Sequence, residues 1–350
     1  MLTVHPIIPR TVRWIRRHPY LLSIIVLISL YPLYHVIAYL HTIIRPIDII
    51  HDIESIPMSK YSWPLEIDAH KIVEEYRRGS LSVKPITLDN TTITLFPDKK
   101  HCQAGCLITV LIKTRVEDRF NRDMLRRTWI QDLQSHNLQH SFLLGQCNNT
   151  KCQSALDEEL SEHKDIVQAN FIDHYYNNTI KFRVGLRYMA YHCNTSRYLF
   201  LIDGDYSLNV DRLVQYLKDS NYPRDLFAGK LWPASRPIRD ITDPHYLSFE
   251  FYPYRWLPPF IAAGANLISV ELIEPMDIIA KFTKFVEFDD VFYAMVAKKL
   301  GIKLKDESKL IPSWYIPKLK DKESHQKIIG SHRFGNLAEV ELIHKMLHER

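Results

Sequence analysis

Glycine is scarce in this chain, with 10 in 350 residues, less than half the roughly 7% of ordinary globular proteins. Neither G-x-G-x-x-G nor G-x-x-x-x-G-K-[ST] occurs, so any nucleotide phosphate is held by something other than a glycine-rich loop at a helix start. G-x-S-x-G and H-E-x-x-H are absent too, which removes the commoner serine and zinc hydrolases. No internal repeat or low-complexity tract is found. A basic block on the body of the protein is also lacking: Arg10, Arg13, Arg16 and Arg17 account for most of the formal net charge of +5. The near-neutral remainder has no basic footprint of the kind nucleic acid requires. What is present is 46% hydrophobic content, enough to bury one substantial core with appendages or two small ones.

The four arginines precede "YLLSIIVLISLYPLYHVIAYL", residues 20–40, whose only titratable group apart from tyrosines is His35. A helix needs roughly 20 apolar residues to cross a bilayer, and a cleaved signal peptide has a shorter core and a small-residue cleavage site. The expected organisation is therefore a cytoplasmic tail (1–19), a transmembrane signal anchor (20–41), a luminal stem (42–101) and a catalytic domain (102–345), with the positive flank inside. The alternative is a buried core helix. The sequons at Asn90, Asn148, Asn177 and Asn194 and all five cysteines follow the span, as glycosylation and disulfide formation in the lumen require. Disulfides with one thiol left over are expected; zinc at His101, Cys102 and Cys106 lacks a second ligand pair at finger spacing.

Prolines punctuate residues 42–101, with one helix expected at 66–78. Beyond Cys102 the pattern alternates. Strands are expected at 106–113, 140–145, 165–171 and 198–202, and helices at 119–133, 153–163, 177–193 and 209–219. Such units imply an α/β fold, a mostly parallel sheet flanked by helices. Ligands of open α/β sheets bind beyond the carboxyl ends of the strands. "YLFLIDGDYSLN" (198–209) ends a buried strand in Asp203 and Asp205 at that place. Two carboxylates at i and i+2 can converge on a hard cation that bridges phosphate oxygens; an Asp-Gly turn capping the next helix is the plainer reading.

The segments "FNRDMLRRTW", "FLLG", "DIVQANFIDHYYNNTIK", "RYLFLIDGD", "LFAGKL" and "FVEFDDVFYAMVAKKLGI", in this order, resemble the β-1,3-galactosyltransferase family of type II Golgi enzymes, which includes N-acetylglucosaminyl and Fringe relatives. The resemblance covers about residues 105–340 and implies a GT-A fold, a UDP-sugar donor (UDP-galactose or UDP-N-acetylglucosamine), a glycan acceptor on glycoprotein or glycolipid, Mn2+ and inversion at the anomeric carbon. It further implies Asp203 and Asp205 as the acids of the metal motif, His332 as completing the metal site, and Arg122 and Arg126 near the nucleotide together with Asp203. Asp290, the acid before valine in "EFDDV", is implied as the catalytic base. Two departures stand out. Gly204 occupies a place where relatives carry a third acid or a serine, and "FIAAGANLIS" matches the family's glycine-rich stretch loosely.

The implied chemistry is coherent. A cation offsets charge on a departing diphosphate, and a carboxylate on the far side of the sugar takes the proton of an incoming hydroxyl. Two rival readings remain: a catalytically silent luminal protein of the same fold that binds UDP-sugar or glycan, and a two-carboxylate hydrolase.

Overall fold

The structure, a computed structural model, describes residue 20 and residues 30–36, 67–87, 89–99, 102–311, 317–332 and 336–348. The expected tail and most of the expected anchor lie outside the described residues. Residues 30–36 are helical, and among the described residues no helix is long and apolar enough to cross a membrane.

Two units are distinguished, Met1–His51 with Pro237–Arg255, and Asp52–Arg236 with Trp256–Arg350. Within the smaller, the loop 237–255 is organised by Arg239, which donates to the carbonyls of Leu247, Tyr252 and Tyr254 and lies over the Phe249 ring.

The larger unit is built on an eight-stranded mixed sheet. In chain order its strands are β1 (Ile93–Leu95), β2 (Ile108–Lys113), β3 (Gln139–Gln146), β4 (Ile166–Ile172), β5 (Tyr198–Asp203), β7 (Phe227–Gly229), β10 (Ala265–Ser269) and β11 (Leu304–Asp306). They lie side by side as β1-β4-β3-β2-β5-β10-β7-β11. β4, β3, β2 and β5 run parallel, β10 runs against both β5 and β7, and β1 runs against β4. β2 is buried along its whole length, as a strand covered on both faces must be. Short ribbons pair β6 (Ser207–Leu208) with β12 (Gly330–Ser331), and β8 (Leu231–Trp232) with β9 (Phe260–Ile261).

Ten helices are described in this unit: α1 (Ala69–Arg77), α2 (Arg119–Arg127), α3 (Trp129–Ser135), α4 (Thr150–Glu162), α5 (Asn178–Tyr191), α6 (Val210–Asp219), α7 (Val270–Ala280), α8 (Asp289–Lys299), α9 (Lys322–Lys327) and α10 (Leu337–His348). Asp68, Asp118, Asn149 and Asn209 cap α1, α2, α4 and α6 through side-chain oxygens that accept first-turn N–H groups, satisfying donors a helix start leaves open.

The α/β class and the strand–helix alternation agree with expectation to within a few residues, and two differences are instructive. The single helix expected at 119–133 is broken at Thr128, whose hydroxyl donates back to the carbonyls of Met124 and Leu125; the break lets α3 begin with the fully buried Trp129. The division expected at residue 102 is not a structural boundary. Arg77 pairs with Glu274 at 2.6 Å, the amides of Ile86 and Thr87 both donate to the Lys281 carbonyl, and β1 extends the main sheet, so residues assigned to the stem belong to the folded body.

Cys102 is bonded to Cys193 and Cys147 to Cys152, leaving Cys106 as a buried free thiol. The carboxyl ends of β2 and β5, the loop entering the reversed strand β10, and the start of α8 meet at one edge of the sheet, joined by hydrogen bonds and ion pairs.

Candidate active site

The centre of that edge is a residue the sequence did not announce. Lys113 ends β2, and its buried ammonium lies 2.9 Å from Asp203 Oδ1 and 3.1 Å from Asp289 Oδ2, and donates to the Ala263 carbonyl at 3.1 Å. Burial lowers its pKa, but the two carboxylates more than offset that and raise it. Asp203 and Asp289 thus share one buried cation, with Asp205 and Asp290 close enough to add negative charge. The excess of negative charge is what a divalent metal site needs.

Asp203 ends β5. Although 38% of its side chain is open to solvent, the carboxylate sits within the protein mass, and burial pushes its pKa up to about 6, with Asp205 and Asp289 adding to the rise and Lys113 opposing it. Asp205, two residues on, is exposed. The loop between them is fixed by its backbone: Asn121 donates to the Gly204 carbonyl at 3.0 Å and the Trp129 indole to the Tyr206 carbonyl at 3.0 Å. Gly204 is required by closeness to β2, since a Cβ there would lie 2.4 Å from Thr114 Cγ2. The missing third acid is therefore matched by a tightened loop.

His332 follows β12 and stacks on Tyr206 with ring centroids 4.5 Å apart. Its Nδ1 is 3.9 Å from Asp205 Oδ2, and its Nε2 is buried with no hydrogen-bond partner. The Nδ1 and the Asp205 oxygen, 3.9 Å apart, are spaced so that one divalent cation could be shared between them. Asp203 does not join them. Its carboxylate is engaged by Lys113, and among the described residues Asp203, Asp205 and His332 do not close into one cluster of ligand atoms. Of the three expected ligands, Asp205 and His332 lie side by side, with Asp203 next to them and paired to Lys113.

Asp289 and Asp290 open α8. The helix dipole favours ionised acids there, so a lowered pKa is the expectation from sequence. The opposite holds for Asp290. Burial first, and the Asp289 charge second, push it up to about 7, against the hydrogen bond its Oδ1 accepts from the Val291 amide at 2.8 Å. Its neighbour is committed to Lys113. The two adjacent acids therefore differ in their partners: Asp289 anchors the lysine, while the Asp290 carboxyl is raised by burial and by its neighbour's charge.

Arg122 and Arg126, expected beside the nucleotide, are turned elsewhere. All five N–H donors of Arg122 are used: two grip Glu159 at 2.8 and 2.6 Å, and the rest reach the Thr114 hydroxyl and the carbonyls of Arg115 and Val116. Glu159 is fully buried, and its pKa is lowered because the two arginines outweigh burial. Arg126 bridges Asp165, Asp123 and Glu159. Arg126 braces the Glu159 that Arg122 grips, and Arg122 thereby holds the loop after β2. A second buried lysine does the same from α5, Lys181 donating to Asp173 at 2.6 Å and to the Thr114 carbonyl at 2.7 Å. Asp165, Asp173 and Lys181 all fall in "DIVQANFIDHYYNNTIK", which accounts for that run physically. Of the sequon asparagines, Asn90, Asn148 and Asn194 are exposed, while Asn177 is half-buried and donates to the Ile172 carbonyl.

A family model described as Galactosyltransferase matches residues 120–308, spanning α2 to the end of the sheet. The chain belongs to the galactosyltransferase family. The chain is 32% identical over 240 residues to beta-1,3-galactosyltransferase brn of Drosophila melanogaster, covering 67% of this chain and 72% of that one. It is 25% identical over 280 residues to beta-1,3-galactosyltransferase bre-5 of Caenorhabditis elegans, covering 79% and 81%. To the lactosylceramide 1,3-N-acetyl-beta-D-glucosaminyltransferase of Homo sapiens it is 27% identical over 261 residues, covering 71% and 68%.

Proposed function

We propose that this glycosyltransferase moves a hexose, galactose ahead of N-acetylglucosamine, from a UDP-sugar to a glycan hydroxyl in β-1,3 linkage with inversion, on a GT-A-type fold. The observation that carries the reading is the division of labour among the acids. Asp290 has its carboxyl pushed up to about 7, while Asp205 lies beside His332.

In this mechanism Asp290 accepts the proton of the acceptor hydroxyl as that oxygen bonds to the anomeric carbon. The bond to the diphosphate breaks on the opposite face, UDP departs, and Asp290 returns the proton to solvent. A divalent cation such as Mn2+, held by Asp205 and His332, would supply charge compensation for the leaving diphosphate. Lys113 fixes Asp203 and Asp289 relative to each other. Arg122 and Lys181 hold the loop on which the nucleotide would rest. We further propose that the protein is a single-pass type II protein of the Golgi membrane with its body in the lumen. Protease protection of the C-terminus in sealed microsomes is then expected, and digestion there would sink that assignment.

The deciding experiment pairs thermal unfolding of the full chain in UDP-galactose and UDP-N-acetylglucosamine, with and without manganese, with product analysis on a panel of glycan acceptors. Ligand that binds only the folded state raises Tm. A Tm rise that needs both UDP-galactose and manganese, together with a β-1,3-linked product, is the expected result. Binding without turnover would establish the silent binding protein, and free sugar in place of a disaccharide would establish the hydrolase.

A further inference from the structure

The C-terminal helix carries a second constellation that shares no residue with the site above. Val340 and Ile343 of α10 are buried in the core, and Glu341 pairs with Arg127 at 2.9 Å, so the helix is seated firmly beside α2 and α3. His344 and His348, four residues apart, lie on one face of α10, and that face meets Asp132 of α3. His344 Nε2 lies 3.2 Å from Asp132 Oδ2, and His348 Nε2 lies 2.9 Å from Asp132 Oδ1. One ligand atom from each of the three residues falls within 4.8 Å of the others. The imidazole rings are 4.5 Å apart, edge to face.

Ordinary ion pairing accounts for only part of this arrangement. The 2.9 Å contact of His348 is a hydrogen bond. His344 Nε2, by contrast, is shut off from solvent and makes no hydrogen bond, its approach to the carboxylate being off the required line. A buried imidazole nitrogen with no hydrogen bond, 3.2 Å from a carboxylate that already engages a second imidazole, suits a metal site. Zinc bonds of about 2.0–2.1 Å in tetrahedral array place ligand atoms about 3.3 Å apart, close to the spacings found here. A recess of about 380 Å3, lined in part by Asp132, Asp211, Gln326 and His348, adjoins the cluster and has room for water in a fourth position.

We propose that Asp132, His344 and His348 bind a transition-metal dication, zinc by preference, as a clamp between α3 and α10. Two imidazoles and one carboxylate suit zinc better than manganese or magnesium, which favour oxygen. Because α10 follows His332 closely in the chain, the clamp also tethers the segment that brings His332 to Asp205.

The test uses the full chain, stripped with chelator and titrated with zinc chloride alone, without UDP-sugar or manganese. Bound zinc per chain is measured after desalting, alongside Tm and the visible spectrum of the cobalt-substituted protein. The expected result is a zinc site that raises Tm, gives a tetrahedral cobalt band and persists in His332→Ala. Its affinity should fall in His344→Ala and in His348→Ala by at least about tenfold, the lower end of what altering groups one step removed from a metal costs. The His348 side chain is 48% exposed, so His348→Ala decides the matter should His344→Ala fail to fold. Absence of zinc uptake by the wild type, or equal uptake and stabilisation in His348→Ala, would overturn the proposal and leave an ion pair only.

Discussion

Replacing Asp290 with asparagine should make the protein more stable and less active at once. Burial and the Asp289 charge lift this carboxyl from its ordinary 3.8 to about 7. Each tenfold change in proton affinity corresponds to about 1.4 kcal/mol. Keeping Asp290 ionised in the folded chain at pH 8 therefore costs at most about 4 kcal/mol relative to the unfolded chain. The sign follows from linkage: an acid whose folded pKa lies above its unfolded value opposes folding wherever the unfolded group is ionised. The cost is absent below about pH 4, grows up to about pH 7 and is constant above. Asparagine has nearly the same shape, never ionises, and keeps an oxygen to accept the Val291 amide bonded to Asp290 at 2.8 Å. Allowing for the burial of the new amide, a gain of about 2–4 kcal/mol at pH 8 and almost none at pH 4 is expected. Denaturant unfolding of both proteins at the two pH values measures this, and kcat at pH 8 should fall by about 10² or more. A destabilised variant at pH 8, or a difference independent of pH, would refute the burial argument. Undiminished kcat would remove Asp290 as the base.

Lys113→Met should destabilise the fold by about 3–5 kcal/mol at neutral pH, the usual cost of leaving buried carboxylates without their cation, and part of the loss should return as pH falls, because without the lysine Asp203 protonates above the value of about 6 it has beside it; denaturant midpoints against pH check this, and an equal loss at pH 5 and pH 8 would contradict it. Asp205→Asn should abolish manganese-dependent binding of UDP-sugar while Tm without ligand stays within a degree or two, because the side chain is exposed; calorimetric titration showing wild-type affinity and metal dependence would disprove its role. Gly204→Ala should cost about 1–3 kcal/mol, the range for forced overpacking, because the added methyl meets Thr114 Cγ2; a neutral change in unfolding midpoint would mean the β2 loop is looser than described.

Much of the parallel half of the fold was legible because its strands are long and apolar. β2, β3, β4 and β5 each follow the buried pattern and alternate with amphipathic helices. The short strands β6 to β12 gave no such signal, having two to five residues each, and β1 was hidden in proline-rich sequence that reads as stem. Asp203 and Asp205 were legible because carboxylates at the end of an apolar strand contradict burial unless they do something. Lys113 carried the same contradiction, yet a lone lysine at a strand end also reads as a solvated terminus. Its partners are 90 and 176 residues away, beyond the reach of local pattern. The partners of Arg122 and Arg126 were hidden for a related reason. An arginine in a basic helix suggests phosphate, and only the buried Glu159 of α4 reveals that the charge is already matched. Raised proton affinity at Asp290 was not readable either, since helix position alone predicts the reverse.

The bond between Cys102 and Cys193 spans 91 residues and encloses β2, β3, β4 and the helices between them. Chains emerge from the ribosome N-terminus first, at about 5–20 residues per second. Both cysteines are therefore synthesised several seconds before Asp289 is. During that interval Lys113, at the end of the strand destined for the centre of the sheet, can meet Asp203 but lacks Asp289, the second of its two carboxylates. We expect chains stalled near residue 240 and trapped by alkylation to carry this cross-link already, while Lys113 stays reactive toward an amine label until the full chain is released.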